Sequence, residues 1–228
     1  MKEFLNIFQK FIPCHSPYDV WRDFIVLSSC AISNSLDKTN CSKRESLYIQ
    51  TIKKYIKQEQ ELFPQLLAET VNQLENNLEQ DFLGEIFMNL KFGDSHFGQY
   101  FTPYYVSKLM SKTIVGDAVA QVKEKNFITI SDPCCGSGSL LIASVNEAKQ
   151  QLEKENINFQ KCVFVCGQDI NQTVALMCYI QLSLMGVSGY ILVGDALQSQ
   201  NVIVENCWFT PMYFLLKGDE RIRELEKS

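Results

Sequence analysis

Apolar residues recur every three or four positions through roughly the first 90 residues, the period of an amphipathic helix. Val20, Trp21, Phe24, Ile25, Leu27 and Ala31 form one such stripe. Ser16 and Pro17 give it a start signal, and Ser33-Asn34 helps end it. Leu47, Tyr48, Ile52, Tyr55 and Ile56 predict a second helix over about Lys43 to Gln60. Pro64 interrupts or restarts it, and Leu66, Leu67, Val71, Leu74 and Leu78 continue the pattern. Asp81 can cap a short helix through Phe82, Leu83, Ile86, Phe87 and Leu90. The glutamates, glutamines and lysines between these stripes read as a solvated face.

The pattern then changes. Phe92-Gly93-Asp94-Ser95-His96-Phe97-Gly98 reads as a loop. Thr102-Pro103 can open a helix with Val106, Leu109, Met110 and Ile114 on its apolar side. From about Asn126 short β-rich runs alternate with helical ones. Phe127 to Ile130, Cys162 to Cys166 and Tyr190 to Val193 predict three strands, and Val202 to Val204 a fourth. Helices are predicted through Leu140 to Ala148 and Val174 to Met185. This order is that of an α/β protein with a parallel, doubly wound sheet. The expected division is a helical amino-terminal region over 1–92 and an α/β domain over 93–228.

Composition narrows the class. With 46% apolar and 21% charged residues, the 228-residue chain is not disordered or low-complexity. No apolar run reaches the roughly 20 residues that span a bilayer. The first residues lack the plan of a signal peptide, so the expected location is cytoplasmic, with no membrane partner. The nine cysteines are odd in number and scattered, which argues against disulfides in that compartment. Cys162 and Cys166 fall on one strand face roughly 13 Å apart, too far to share a zinc. With only two histidines, no metal site is expected. The net charge of -5 means that contact with DNA would rely on a local patch or a partner.

Three groups of polar residues stand at the carboxyl ends of three predicted strands. Asp132-Pro133-Cys134-Cys135-Gly136-Ser137-Gly138 is a glycine-bearing turn between a strand and a helix, where a ligand can approach the backbone closely. It lacks the Gly-Lys-Ser/Thr ending of a phosphate loop and the third glycine of a nicotinamide fingerprint. An acidic residue before it suits a ligand with a cationic group. Gly167-Gln168-Asp169-Ile170-Asn171 follows the second strand, where a carboxylate can accept from both hydroxyls of a ribose. Gly194-Asp195 ends the third, where a carboxylate can accept from the amine of an adenine. Singly, each acid reads as a loop or capping residue; together they mark the edge at which open α/β sheets bind ligands.

With Gly98-Gln99-Tyr100-Phe101-Thr102-Pro103 placed before these groups, the chain resembles S-adenosylmethionine-dependent adenine-N6 DNA methyltransferases. It is most similar to the modification subunits of type I restriction-modification systems. Those proteins carry Gly-Gln-Phe-Phe-Thr-Pro, Asp-Pro-x-Cys-Gly-Ser-Gly, Gly-x-Glu-x-Asn and Gly-Asp in this order. The resemblance implies a Rossmann-like methyltransferase sheet that binds S-adenosylmethionine. Phe101, Thr102 and Pro103 would line the methionine end, Asp132 would sit near its ammonium, and Cys134, Gly136 and Gly138 would belong to the enclosing loop. Asp169, one methylene shorter than the family's glutamate, would hold the ribose, and Asp195 the adenine amine.

The family's Asn-Pro-Pro-Phe/Tyr motif, which accepts hydrogen bonds from the target amine and stacks on a flipped-out base, has no counterpart with two prolines. Two readings stand for Asn206-Cys207-Trp208-Phe209. Asn206 and Phe209 occupy the first and last motif positions as catalytic residues, or the segment is a strand leading into Thr210-Pro211. Only 19 residues follow Phe209, whereas a full sheet of this kind has three further strands. Two functions are therefore expected. One is an adenine-specific DNA methyltransferase that meets DNA through partners such as specificity or restriction subunits. The other is a non-catalytic cofactor-binding or protein-interaction module derived from that family.

Overall fold

The computed structural model describes residues 1–92, 100–198 and 206–216. The first ninety or so residues form helices, as their periodicity predicts. These are α1 (Lys2–Phe8), α2 (Pro17–Asn34), α3 (Cys41–Ile52), α4 (Lys57–Gln60), α5 (Leu62–Asn76) and α6 (Phe82–Asn89). The single helix expected over 43–60 is divided at 53–56 into α3 and α4. Pro64 falls in the first turn of α5, where its missing N–H removes no intrahelical bond. Asp81 caps α6 by accepting from the Gly84 N–H at 2.9 Å. The helix after Thr102-Pro103 is α7 (Tyr104–Val115), capped by Pro103 rather than Thr102, and α8 (Ala118–Lys125) follows.

The α/β part runs β1 (Ile128–Asp132), α9 (Ser139–Lys154), β2 (Val163–Asp169), α10 (Gln172–Leu184), β3 (Ser188–Val193), β4 (Cys207–Phe209) and α11 (Pro211–Leu215). The sheet order is β1-β2-β3-β4. The first three strands are parallel, with Asp132 beside Gly167 and Asp169 beside Val193. Their carboxyl ends, which carry the three acidic groups, are thus aligned on one edge. Val165, Gly167 and Ile191 face the helical side; Leu141 of α9 lies 3.1 Å from where a Gly167 Cβ would stand. Phe164 faces the other side and meets Tyr213 of α11.

One expectation is corrected here. The sheet is not wholly parallel: β4 runs antiparallel to β3, pairing Leu192 with Cys207 and Tyr190 with Phe209. Of the two readings of residues 206–209, the structure has the strand that leads into Thr210-Pro211. Thr210 then closes the strand, with its N–H donating to the Gly189 carbonyl at 3.0 Å, and Pro211 starts α11. Of the other sequence-level expectations, the strand at 202–204, the loop residues 93–99 with His96, and the tail from 217 lie outside the described residues.

The helical region and the sheet share one core. Phe4, Phe8, Trp21 and Phe24 pack edge to face in the helical layer. The same cluster of buried side chains continues through Leu66 and Ile86 to Leu141, Val165, Ile180 and Ile191. Tyr179 of α10 meets Trp208 of β4 at 5.5 Å between ring centroids. The Arg44 guanidinium of α3 lies 4.0 Å over the same indole and donates to the Cys207 carbonyl at 2.7 Å.

Candidate cofactor site

The glycine loop between β1 and α9 is held down at both ends. Cys135 N–H donates to the Gln168 carbonyl at 2.8 Å, which drapes the loop over the end of β2. Gly136 N–H donates to Asp169 Oδ2 at 2.9 Å, and Asn171 N–H to Asp169 Oδ1 at 2.9 Å. Each Asp169 oxygen therefore spends one acceptor position on backbone. A carboxylate has about four such positions, so acceptor capacity for a diol remains. Asp132 Oδ1 takes the Cys134 N–H at 3.0 Å, and Asp195 Oδ1 the Leu197 N–H at 2.9 Å. All three acids thus shape turns at the carboxyl edge, and all three are half-buried.

The conformation of the loop explains its glycines. Gly136 has φ +54 and Gly138 φ +98. Around Gly136 a side chain would meet only the Phe101 ring, at 3.4 Å, so this glycine leaves open backbone beside Phe101. At Gly138 a Cβ would stand 2.6 Å from Cys178 Sγ, so α10 packs against bare backbone. Cys134 is exposed on the outer side of the turn, whereas Cys135 is buried beneath it.

Phe101, Thr102 and Pro103 line a cavity of about 400 Å³ whose opposite wall is α6. The Phe101 ring bridges Gly136 and Phe87, 5.1 Å from the latter. Behind it stands a polar cluster that sequence reasoning missed. Asp81 is fully buried and accepts from Gly84 N–H, from Gln181 Nε2 at 2.8 Å and from the Ser137 hydroxyl. Gln181 Nε2 also donates to the Ser137 carbonyl at 3.0 Å, and its Oε1 accepts from Leu83 N–H at 3.1 Å. Burial pushes the Asp81 carboxyl above its ordinary range, against the pull of these hydrogen bonds. Asp81 was legible only as a helix cap, because its partners lie 56 and 100 residues away in sequence.

Asn206 and Phe209 do not come together. Asn206 is exposed at the carboxyl edge, next to a cavity of about 240 Å³ that Lys43, Gln172 and Trp208 also line. Phe209 lies three residues on and on the other side of the sheet, against Tyr213 at 4.4 Å and Tyr190 at 5.8 Å. Cys207 and Trp208, which stand where the family's prolines would, are buried.

These residues fit S-adenosylmethionine: an open glycine loop, a ribose-height acid with acceptors to spare, and an acid-walled cavity beside Phe101. Among the described residues no group of three His, Cys, Asp or Glu side chains could hold a metal ion, and no helix is long and apolar enough to cross a membrane.

Comparison with known proteins adds the following. Residues 79–211, more than half of the chain, match the family model described as N-6 DNA methylase. Among solved structures, the chain is similar to a class I S-adenosylmethionine-dependent methyltransferase from Listeria monocytogenes, at 18% identity and a TM-score of 0.41. That match covers 82% of this chain but 56% of the Listeria protein, so the chain spans little more than half the length of this relative. No curated protein matches the chain.

Proposed function

This chain belongs to the N-6 DNA methylase family, and on that premise we propose that it is the S-adenosylmethionine-binding component of an adenine-N6 DNA methyltransferase of the type I modification kind. The observation that carries the reading is the hydrogen bond from Gly136 N–H to Asp169. It fixes the glycine loop and the ribose acid to each other at the edge where open α/β sheets bind ligands. When bound, the cofactor supplies an electrophilic methyl group on a sulfonium. The chain's own residues orient it. Asp169 receives the ribose hydroxyls, Asp195 the adenine amine, and the Gly136 backbone lies open to the ligand beside Phe101. Asp132 closes the turn from which Cys134 projects. The net charge of -5 supports delivery of DNA through partner subunits.

A second reading, a cofactor-binding module without chemistry of its own, is favoured by one observation. Asn206 and Phe209, which would have to converge on a flipped base, are set apart: Asn206 lies just before β4 beside the cavity that Trp208 lines, and Phe209, at the end of β4, packs on Tyr213.

Two experiments decide between these. Calorimetry with S-adenosylmethionine is expected to show binding that Asp169→Ala weakens by about 1–3 kcal/mol, the cost of unpaired polar groups. Unchanged affinity removes Asp169 from the site. Methyl transfer to adenine in DNA, measured with labelled cofactor with and without candidate partner subunits, then separates the readings. No transfer in any combination leaves only the second.

A further inference from the structure

We propose that Glu85, on α6, is the acidic contact for the cationic methionyl end of the cofactor, and that Asp81, one turn earlier, positions the glycine loop that faces it. The inference rests on the reading that this edge binds S-adenosylmethionine, and it assigns a role to a helix outside the four sequence motifs.

Three observations carry it. The first is proximity. A Cβ on Gly84 would stand 2.6 Å from Ser137 Oγ and 2.2 Å from Asp81 Oδ2, so α6 approaches the glycine loop as closely as a glycine permits. Glu85 is the next residue, and with Gly84 and Met88 it walls the cavity of about 400 Å³ opposite Phe101 and Thr102. The second is uncompensated charge. Every hydrogen bond that Asp81 accepts comes from a neutral group: the Gly84 amide, the Ser137 hydroxyl and the Gln181 amide. The Glu85 side chain makes no hydrogen bond or ion pair with any described residue. Burial and the negative charge of Asp81 push its carboxyl up, and the Met1 α-amino group opposes them from a distance. Two acidic groups thus line one cavity without a contacting cation, and a cationic ligand held there favours the charged form of each. The third is the opposite wall. Phe101 and Tyr104 line the same cavity, and aromatic faces attract ammonium and sulfonium groups. The ligand end that suits these walls bears two positive centres close together, as the methionyl end of S-adenosylmethionine does.

Asp81 acts through its partners and not by contact. It ties Ser137 and Gln181 to the cap of α6, so loop and acid are held in one network.

The test is calorimetry on the full chain with two nucleosides, S-adenosylmethionine and 5′-methylthioadenosine, which keeps the adenosine but lacks the ammonium and the sulfonium charge. Glu85→Gln is expected to weaken S-adenosylmethionine by about tenfold and to leave 5′-methylthioadenosine within about twofold. Glu85→Lys should weaken the charged ligand further. Glu85 is exposed, and retained binding of the neutral nucleoside reports an intact fold. A Glu85→Gln protein that binds S-adenosylmethionine as tightly as the parent, or loses both nucleosides equally, overturns the assignment to Glu85 alone. A parent protein that binds neither nucleoside overturns the cofactor reading, and this inference with it.

Discussion

Gly136 and Gly138 look equivalent in the sequence, yet their surroundings separate them. Gly138→Ala puts a Cβ into the Cys178 side chain and forces a non-glycine residue to φ +98. The expected loss is about 2–4 kcal/mol in urea unfolding, from backbone strain and overpacking together. Gly136 sits at φ +54, inside the left-handed region that other residues can reach, with the Phe101 ring at 3.4 Å. Gly136→Ala should cost about 1 kcal/mol and act on cofactor affinity more than on stability. Equal losses at the two positions would contradict the packing described.

The buried Asp81 makes a second prediction at this scale. Its pKa is raised above the ordinary 3.8, chiefly by burial. The folded protein therefore holds a proton that the unfolded chain has released. In the window from 3.8 up to the folded value, stability falls as pH rises, and above that window the contribution is constant. Asp81→Asn should remove this fall while retaining an acceptor for the Gly84 N–H. Comparing urea midpoints of parent and variant across that window checks the sign; an identical pH dependence would mean that Asp81 is ionised in the fold at all these pH values.

At the scale of elements, the staple between α3 and β4 decides how the edge of the sheet is closed. Arg44 is buried, pairs with Asp37 at 2.5 Å, contacts the Ser33 hydroxyl and spans to the Cys207 carbonyl and the Trp208 ring. Removing the guanidinium leaves a buried carboxylate without its partner. Arg44→Ala should cost about 3–5 kcal/mol, and the Arg44→Met, Asp37→Leu double variant less than the sum of the two single losses. A denaturant series over the parent, Arg44→Ala, the two single variants and the double variant measures both. The apolar pattern of the chain predicted α2, α5, α9 and α10; α5 buries one stripe on its neighbours, whereas α10 is buried on every side from Thr173 to Ser183. The direction of β4 was not predictable, since a run of three residues carries no sign of which way it will pair. That depends on Thr210 finding the Gly189 backbone.

At the scale of the whole molecule, the helical region and the sheet share one cluster of buried side chains. The core passes from Trp21 and Phe24 through Leu83 and Ile86 into α9 and α10 without a polar boundary. Polar ties repeat the connection: Asn146 Nδ2 donates to the Leu78 carbonyl at 2.8 Å, and the Arg44 guanidinium to the Cys207 carbonyl at 2.7 Å. Differential scanning calorimetry should therefore show one cooperative transition, with calorimetric and van't Hoff enthalpies equal. Two resolved transitions would restore the division at residue 92. On α7 the apolar stripe read from the sequence does not form the buried side: Leu109, Met110 and Ile114 are exposed, and Ser107, Ser111 and Val115 are buried instead.

The sequence by itself determined the order of helices and strands, because burial periodicity is a local property. It also located the glycine loop, Asp169 and Asp195 as a site, because a parallel sheet brings the ends of successive strands to one edge whatever the details of packing. Only the tertiary structure decided what surrounds that edge. It placed Asp81 and Glu85 from the helical region against the loop, since contacts across 56 and 100 residues leave no trace in periodicity. It also separated Asn206 from Phe209, since a strand sends alternate residues to opposite faces and sets residues three apart on different sides of the sheet.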